Sequence, residues 1–372
     1  MKRELERIEI PGEHEARERA WSVASTAFSE REAVERRRRM LRPALAIAVL
    51  VAALTAVLSP PGMAVLDEIR EVVGVERAQP ALFSLPAHGR LLVSSDVGVW
   101  VVERNGSKRL LGDYGEASWS PFGRFVVATR ENELAALEPD GDVRWTLGRP
   151  GVQSPRWAGT ETDTRIAYVD RAGIRVVAGD GTGDRLLVPR ARAPIAWRPG
   201  TDFQLAYADQ LGRIVLVDAS SGDVLWRTRP DAKVAELEWT SNGRRLVARR
   251  INATDDLAVY TARGAPYTGF RTKGVVTTAA ARPGLHARAV AVLTNGQSRL
   301  LMPDVRGSAL SGPGALQDLT WSPNGRWLLV GWPSADQWVF VRADGKRIRA
   351  VSNVSDQFRS RAFPRVDGWC CG

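Results

Sequence analysis

Short alternations of apolar and polar residues, separated by turns rich in Gly, Asp and Asn, recur from about residue 80 to the end of the chain. One predicted strand begins with Arg or Gln and recurs seven times, with steps of 34, 41, 39, 40, 44 and 38 residues between starts. These strands are Arg90–Ser95, Arg124–Thr129, Arg165–Asp170, Gln204–Asp209, Arg244–Arg249, Arg288–Leu293 and Arg326–Gly331. A second apolar strand and a Gly-containing turn follow each, which is typical of β-hairpins. Four-stranded units of about 40 residues predict a β-propeller.

A tryptophan marks the strand ahead of most units. The marks are Trp119-Ser-Pro, Trp157-Ala-Gly, Trp197-Arg-Pro, Trp239-Thr-Ser and Trp321-Ser-Pro, with Ala281-Arg-Pro in the equivalent place. The first unit lacks this strand, and we expect the C-terminal Ser360-Arg-Ala-Phe-Pro to supply it, with Phe363 42 residues after Trp321. The fold class predicted for residues 81–372 is therefore all-β: a seven-bladed propeller of four-stranded blades, whose first blade is closed by a C-terminal strand.

The repeats also resemble known propeller families. WSPFGRFVVA (119–128) and WSPNGRWLLVGW (321–332) resemble the repeats of bacterial TolB-type and WD-repeat-like propellers. VLVDASSGDVLWRT (215–228) resembles the pyrroloquinoline-quinone-type repeat of outer-membrane assembly propellers. The resemblance covers about 285 residues and implies a binding platform, although some relatives are enzymes. A blade repeat does not by itself imply a quinone site, and we expect no cofactor.

An uncharged stretch of 24 residues, 43–66, precedes the repeats. Its first sixteen to eighteen residues are apolar on every face, and at about 1.5 Å per residue they reach the short end of a membrane span. The alternatives are a buried core helix and a cleaved signal peptide, but 42 residues precede the stretch and no lipoprotein-type Cys follows it. We predict an uncleaved signal anchor at 43–59 and a linker with a short amphipathic helix at 60–80.

The flanks of this stretch predict its orientation. Arg36, Arg37, Arg38, Arg39 and Arg42 stand directly before it, which places residues 1–42 in the cytoplasm and the propeller outside the cell. The same run would contact nucleic-acid phosphates, but membrane topology already explains it, so we expect no nucleic-acid partner.

The net charge of the chain is +10, and residues 1–42, with 11 Lys/Arg and 9 Asp/Glu, contribute only +2 of it. The basic excess therefore lies mainly outside the predicted cytoplasmic piece. Such an excess favours anionic wall polymers or lipid headgroups, or serves general solubility.

A helix is predicted within residues 1–42, with Trp21, Ala24 and Phe28 on one apolar stripe. The stripe indicates contact with a cytoplasmic partner or the membrane surface; the alternative is a juxtamembrane helix that binds nothing specific. The layout resembles transmembrane regulators of alternative sigma factors, although the His and Cys-pair zinc signature of many such regulators is absent.

Few residues suggest chemistry. Gly179–Asp184 alternates Gly and Asp like a calcium or phosphate loop, but the twelfth position from Asp180 is Ala191, and a hairpin turn is the prediction. Cys370 and Cys371 have three interpretations: packing of the closing strand, a redox pair, or thiols that link a dimer. His14, His88 and His286 lack a nucleophile context, and no G-x-S-x-G motif occurs, so we expect neither an enzyme nor a metal site.

Together these features predict a single-pass membrane protein whose extracytoplasmic propeller binds a protein or cell-surface ligand as a scaffold. The first alternative is a sensor that passes the state of the propeller to a cytoplasmic partner, such as a sigma factor, through the Trp21 stripe. A hydrolase or lyase with its site in the central channel is the remaining alternative, because Asp and Glu side chains can converge there.

Overall fold

The computed structural model describes residues 84–371 except residues 201, 252–256 and 285–286. All of these residues belong to one compact unit of the chain. The predicted cytoplasmic piece 1–42, anchor 43–59 and linker 60–80 lie outside the described residues. Within the described ranges, no helix has the length and apolar character needed to cross a bilayer.

The described chain is almost entirely β-strand. The first fourteen strands are β1 Arg90–Ser95, β2 Gly98–Val102, β3 Lys108–Gly112, β4 Glu116–Trp119, β5 Val126–Arg130, β6 Glu133–Leu137, β7 Val143–Gly148, β8 Gln153–Gly159, β9 Thr164–Val169, β10 Gly173–Ala178, β11 Arg185–Pro189, β12 Ile195–Trp197, β13 Gln204–Ala208 and β14 Ile214–Asp218. The remainder are β15 Val224–Arg227, β16 Val234–Trp239, β17 Arg245–Arg250, β18 Leu257–Thr261, β19 Pro266–Phe270, β20 Val275–Ala281, β21 Arg288–Thr294, β22 Gln297–Leu301, β23 Ser308–Pro313, β24 Gln317–Trp321, β25 Trp327–Trp332, β26 Gln337–Arg342, β27 Ile348–Ser352 and β28 Arg365–Cys370. A 3₁₀ turn, Pro333–Ala335, and a short helix α1, Val354–Gln357, complete the elements.

The strands form seven four-stranded antiparallel sheets, which confirms the predicted seven-bladed propeller. Blades 2 to 7 each use four consecutive strands, from β4–β7 to β24–β27, whereas blade 1 has the order β28-β1-β2-β3. We name the four strands of each blade A to D from the centre outward. The A strands of successive blades contact one another around the ring, so they surround the central channel.

The closing strand lies further along the chain than the sequence predicts. Strand β28 pairs with β1, with Leu91 opposite Trp369, whereas Ser360-Arg-Ala-Phe-Pro belongs to the connection before it. The prediction was wrong because that connection contains α1, which lengthens the Trp-to-Trp step from Trp321 to 48 residues. Trp369-Cys-Cys is thus the blade 1 equivalent of Trp119-Ser-Pro.

The repeated tryptophan fills the gap between neighbouring blades. Trp119, Trp197 and Trp321 each end an A strand and pack with apolar side chains of the preceding blade. The indole Nε1 of Trp197 also donates to the Arg156 carbonyl at 2.8 Å, across the blade boundary. A large, mostly apolar ring suits such a wedge-shaped gap, which explains why the mark recurs in six of the seven blades.

Loops of two kinds lie at opposite ends of the strands. The A–B and C–D turns lie on one face, here the A–B face, while the B–C turns and D–A connections lie on the other, the D–A face. Neighbouring A–B turns are linked by Arg198, whose Nε donates to the Gly243 carbonyl at 2.9 Å, and by Arg282, which contacts the Gly325 carbonyl at 2.8 Å. Both glycines have φ of +63°, a conformation that favours glycine at these turns.

Candidate functional site

Most of the predicted site residues cannot be placed. The Trp21, Ala24 and Phe28 stripe and the topology residues Arg36, Arg37, Arg38, Arg39 and Arg42 lie outside the described residues. Only the Cys370 and Cys371 pair falls within them. The candidate site described below therefore lies on the propeller itself.

An aromatic groove of about 420 Å³ opens between blades 2 and 3 on the A–B face. Its aromatic lining comes from Phe122 and Phe125 in the blade 2 A–B turn, from Trp145 on β7, and from Trp157 on β8. The side chain of Phe122 is 46% exposed. A concave site of this volume that combines aromatic side chains with polar groups can hold a ligand.

Two contacts hold the walls of this groove in place. The rings of Phe125 and Trp157 stack with centroids 6.1 Å apart and planes 15° apart. The indole Nε1 of Trp145 donates to the Gly179 carbonyl at 3.0 Å, which ties blade 2 to the blade 3 C–D turn. The Cβ of any residue at position 181 would lie 2.8 Å from the Trp145 ring, so Gly181 allows this close packing. The groove is therefore preformed.

Charged groups line the edges of the groove. The Arg124 guanidinium is exposed and makes no ion pair or hydrogen bond among the described residues, whereas Arg144 pairs with Glu138 at 3.1 Å. Glu161 and Asp180 add carboxylates on the blade 3 side. An unpaired guanidinium beside aromatic rings suits a ligand that carries both an apolar group and a carboxylate.

The predicted hairpin turn at Gly179–Asp184 is present. The Ala178 amide donates to the Thr182 carbonyl at 3.0 Å, and Asp180 Oδ1 accepts from the Thr182 amide at 3.0 Å, which closes the turn. Among the described residues, no group of three His, Cys, Asp or Glu side chains is arranged to hold a metal ion. Asp180 closes the turn, whereas Asp184 accepts hydrogen bonds from Arg149 and Arg175.

Three carboxylates on inner strands each accept a hydrogen bond from the next blade. Glu116 accepts a hydrogen bond from the Ser154 amide at 2.6 Å, and Glu238 accepts from the Ala281 amide at 2.8 Å. Asp318 accepts from the amide of Val366 on β28 at 3.2 Å. These contacts cross the junctions of blades 2 and 3, 5 and 6, and 7 and 1, so they align neighbouring A strands.

The environment of these carboxylates changes their acidity. Burial raises the pKa of Glu238 to about 8, although the Ala281 amide acts in the opposite direction. Burial likewise raises the pKa of Asp318 to about 7, against the effect of the Val366 amide. Both acids therefore hold their protons at pH values where ordinary carboxyls are ionised.

Glu238→Gln is expected to raise the free energy of unfolding by about 1–3 kcal/mol at pH 8 and to change it little at pH 5. The unfolded chain ionises this carboxyl near its ordinary value of 4.5, whereas the folded protein keeps it protonated to about pH 8. Native stability therefore falls as the pH rises through this window, and the neutral amide removes the loss. Urea unfolding at both pH values measures the effect.

Glu236→Gln is the matched control, because Glu236 lies on the same strand and pairs with Arg249 at 2.8 Å. It is not expected to gain stability between pH 5 and pH 8. An equal change for Glu238→Gln at both pH values would contradict the assignment of a protonated Glu238.

The cysteine pair lies where the ring closes. Cys370 and Cys371 are joined in a disulfide between neighbouring residues. Their sulfur atoms lie 3.9 Å from the Ser120 carbonyl oxygen and 3.7 Å from that of Pro121, so the pair packs on the blade 2 A–B turn. Cys370 ends β28 and Cys371 follows it, so the pair lies at the end of the strand that closes the ring. A redox or dimer role for the pair stays a prediction.

Sequence patterns alone do not identify the groove or the inner carboxylates, although two signals are present. Phe122 stands in WSPFGR where the blade 7 repeat WSPNGR has Asn324, so an apolar residue replaces a polar one at an exposed turn. Glu116 and Asp318 each stand three positions before the tryptophan of their repeat. Neither signal says which residues of the next blade lie opposite.

Comparison with known proteins concerns the fold. No family model matches the chain, and no curated protein sequence matches it. A crystal structure of the C-terminal WD40 domain of Sif2 is similar, with 14% identity, 76% of this chain and 83% of that chain covered, and a TM-score of 0.51. A chain in a crystal structure of the mitotic checkpoint complex has 16% identity, coverage of 72% and 92%, and a TM-score of 0.53. Together with the closed ring of seven sheets, these similarities show that the described chain has a WD40-like β-propeller fold.

Proposed function

We propose that this protein is a binding and scaffolding propeller whose partner docks in the aromatic groove between blades 2 and 3. The observation that carries the proposal is the preformed groove, with the exposed Phe122 ring and the unpaired Arg124 guanidinium at its edge. The chemistry favours a peptide segment in which an apolar side chain enters the groove and a neighbouring carboxylate pairs with Arg124. Similarity to solved propellers supports a platform of this kind through the fold alone.

The blade 7 turn offers a matched control for this groove. Phe122→Asn combined with Arg124→Glu changes WSPFGR to WSPNGE, which keeps the turn glycine and the asparagine found in blade 7. Peptides that bind the parent propeller are first selected from a displayed library. These peptides are expected to bind the double variant at least ten-fold more weakly than the parent protein, measured by fluorescence anisotropy. Binding weakens because the double variant loses both the aromatic contact of Phe122 and the charge-assisted hydrogen bond of Arg124 with a carboxylate of the peptide.

Arg326→Glu, the same charge reversal in the blade 7 turn, is expected to leave peptide binding unchanged. Thermal unfolding is expected to be similar for all three proteins, because the altered side chains are exposed. Selected peptides that bind the double variant as tightly as the parent protein would place the binding site elsewhere.

Two further parts of the proposal, the anchor at 43–59 and a propeller outside the cell, depend on residues outside the described ranges. A third part, kinship with TolB-type propellers, rests on the repeats at 119–128 and 321–332. A sensor that signals through Trp21, Ala24 and Phe28 stays the alternative. Cross-linked capture from membranes separates the two roles: a cytoplasmic regulator lost on deletion of residues 1–35 supports the sensor, and surface proteins captured equally by both forms support the scaffold.

A further inference from the structure

Basic side chains are concentrated on one part of the D–A face. The three D–A connections that join blades 3 to 6 are residues 190–194, 228–233 and 271–274, and they contain six Arg or Lys residues and one Asp. The other four connections together contain three Arg and two Asp. We call the first three connections the basic arc. The positive charge of the D–A connections is therefore concentrated in three of the seven connections.

Part of the positive charge of the basic arc is unpaired among the described residues. The one acid of the arc, Asp231, forms an ion pair with Arg250, which belongs to β17 and not to the arc. The side chains of Arg229, Lys233 and Lys273 are exposed and make no ion pair or hydrogen bond with the described residues. Positive charge at these connections is therefore available to a partner.

Two strongly exposed aliphatic side chains accompany the basic arc. Leu211, in the blade 4 B–C turn, is 57% exposed, and its carbonyl accepts a hydrogen bond from the Asp231 amide at 3.3 Å. Val275 directly follows the third connection and is 62% exposed. Leu211 lies within a turn and Val275 begins β20, both on the D–A face. Burial of such side chains against a partner is favourable, at about 25 cal/mol per Å² of apolar surface.

We propose that the basic arc, with Leu211 and Val275, docks on the surface of a bilayer that contains anionic lipids. Charge complementarity favours an anionic partner, and each Lys or Arg close to such a surface contributes about 1 kcal/mol of attraction. A bilayer also accommodates aliphatic side chains on projecting turns without a preformed pocket, whereas a folded protein would need a complementary cavity for each. In this arrangement the A–B face and its aromatic groove point away from the membrane and stay open to a peptide partner.

The test uses the propeller without residues 1–80, because all 28 strands and the ring closure lie within residues 90–370. This removes the predicted anchor, so any binding comes from the propeller surface. Sedimentation with vesicles of phosphatidylcholine and phosphatidylglycerol at 70:30 is expected to show binding that weakens with added salt, while phosphatidylcholine vesicles alone bind little. Failure to bind the anionic vesicles would overturn the proposal.

Paired variants test the surface. Lys233→Gln with Lys273→Gln is expected to weaken vesicle binding about 30-fold, or about five-fold for each charge removed. Leu211→Ser with Val275→Ser is expected to weaken it several-fold. Lys346→Gln with Arg347→Gln, in the blade 7 C–D turn on the opposite face, removes the same charge and is expected to leave binding unchanged.

An equal loss in the control pair would show that net charge alone drives the binding, and would also overturn the proposal. Far-ultraviolet circular dichroism checks that each variant is folded. Peptide binding in the aromatic groove is measured without vesicles, so failure of the bilayer proposal and failure of the proposed function are separate results.

Discussion

A chain that ends at Pro364 is expected to lose the cooperative unfolding transition of the propeller. The deletion removes β28, which supplies the inner strand of blade 1 and pairs with β1 from Arg90 to Ser94. It also removes Trp369, whose ring packs edge-to-face on Phe340 of blade 7 with centroids 5.8 Å apart. Loss of a buried tryptophan side chain alone costs about 3–5 kcal/mol, a large part of the stability of a typical domain.

The physical reason for so large an effect is the closed ring. Without β28, strand β1 presents an unpaired edge to solvent, and blade 1 no longer contacts both of its neighbours through an inner strand. Urea unfolding followed by circular dichroism and limited proteolysis of the shortened chain measure the loss.

A circular permutant provides the control for this deletion. Residues 353–372, joined ahead of Ser84 through a short glycine linker, return β28 to its place beside β1, because Arg90 and Cys370 are register partners. The permutant is expected to unfold cooperatively again. A shortened chain with the same urea midpoint as the parent protein would show that β28 does not close the ring.

Asp184→Ala is expected to lower the free energy of unfolding by about 3–5 kcal/mol at pH 7. The Asp184 side chain is 7% exposed, and it accepts hydrogen bonds from Arg149, Arg175 and Tyr168. Arg149 belongs to the connection from blade 2, whereas Arg175 and Tyr168 lie in blade 3. Removal of the carboxylate leaves Arg149 without its counterion, leaves Arg175 with only the longer ion pair to Asp170 at 3.7 Å, and also breaks a link between blades.

The effect of Asp184 also depends on pH. Burial by itself raises the pKa of Asp184, but hydrogen bonds from Arg175, Tyr168 and Arg149 outweigh it and hold the pKa below its ordinary value of 3.8. A lowered pKa in the folded state contributes stability above the unfolded value, and this contribution is lost as the pH falls. The difference between Asp184→Ala and the parent protein is therefore expected to narrow below about pH 4, measured by urea unfolding.

Asp180→Ala is the matched control in the same turn. Asp180 is exposed and, among the described residues, accepts hydrogen bonds from Thr182 alone, so its loss is expected to cost about 1 kcal/mol or less. If Asp184→Ala costs no more than Asp180→Ala, the buried cluster does not stabilise the fold.

Strands that are specified by a local sequence pattern were predictable from the sequence. Strand β1 has the predicted bounds, and β13 and β21 begin at the predicted residues, because alternating apolar positions between Gly-containing turns specify a strand without reference to the rest of the molecule. The closing strand was not predictable to the same degree. Ser360-Arg-Ala-Phe-Pro has the expected spacing and an aromatic residue. The connection between β27 and β28 contains α1, however, so β28 begins later in the chain, and the tryptophan that fills the blade gap is Trp369.

The candidate site depends on contacts that no local pattern specifies. Phe122, Trp145 and Gly179 are spread over almost 60 residues, and they meet only because blade 3 packs against blade 2. The inner carboxylate Glu238 likewise obtains its raised pKa from burial against the next blade, and its sequence neighbours give no sign of it.

The sequence by itself determined the all-β class, the number of blades, the turns and the recurrence of tryptophan, because period-two alternation and turn chemistry act between near neighbours. It also supplies the predictions for residues 1–80. Tertiary structure decided which C-terminal strand closes the ring, where the aromatic groove opens, which carboxylates stay protonated and where unpaired basic side chains gather. These properties arise from packing between residues far apart in the chain, where burial and the partners brought by the next blade set the energies.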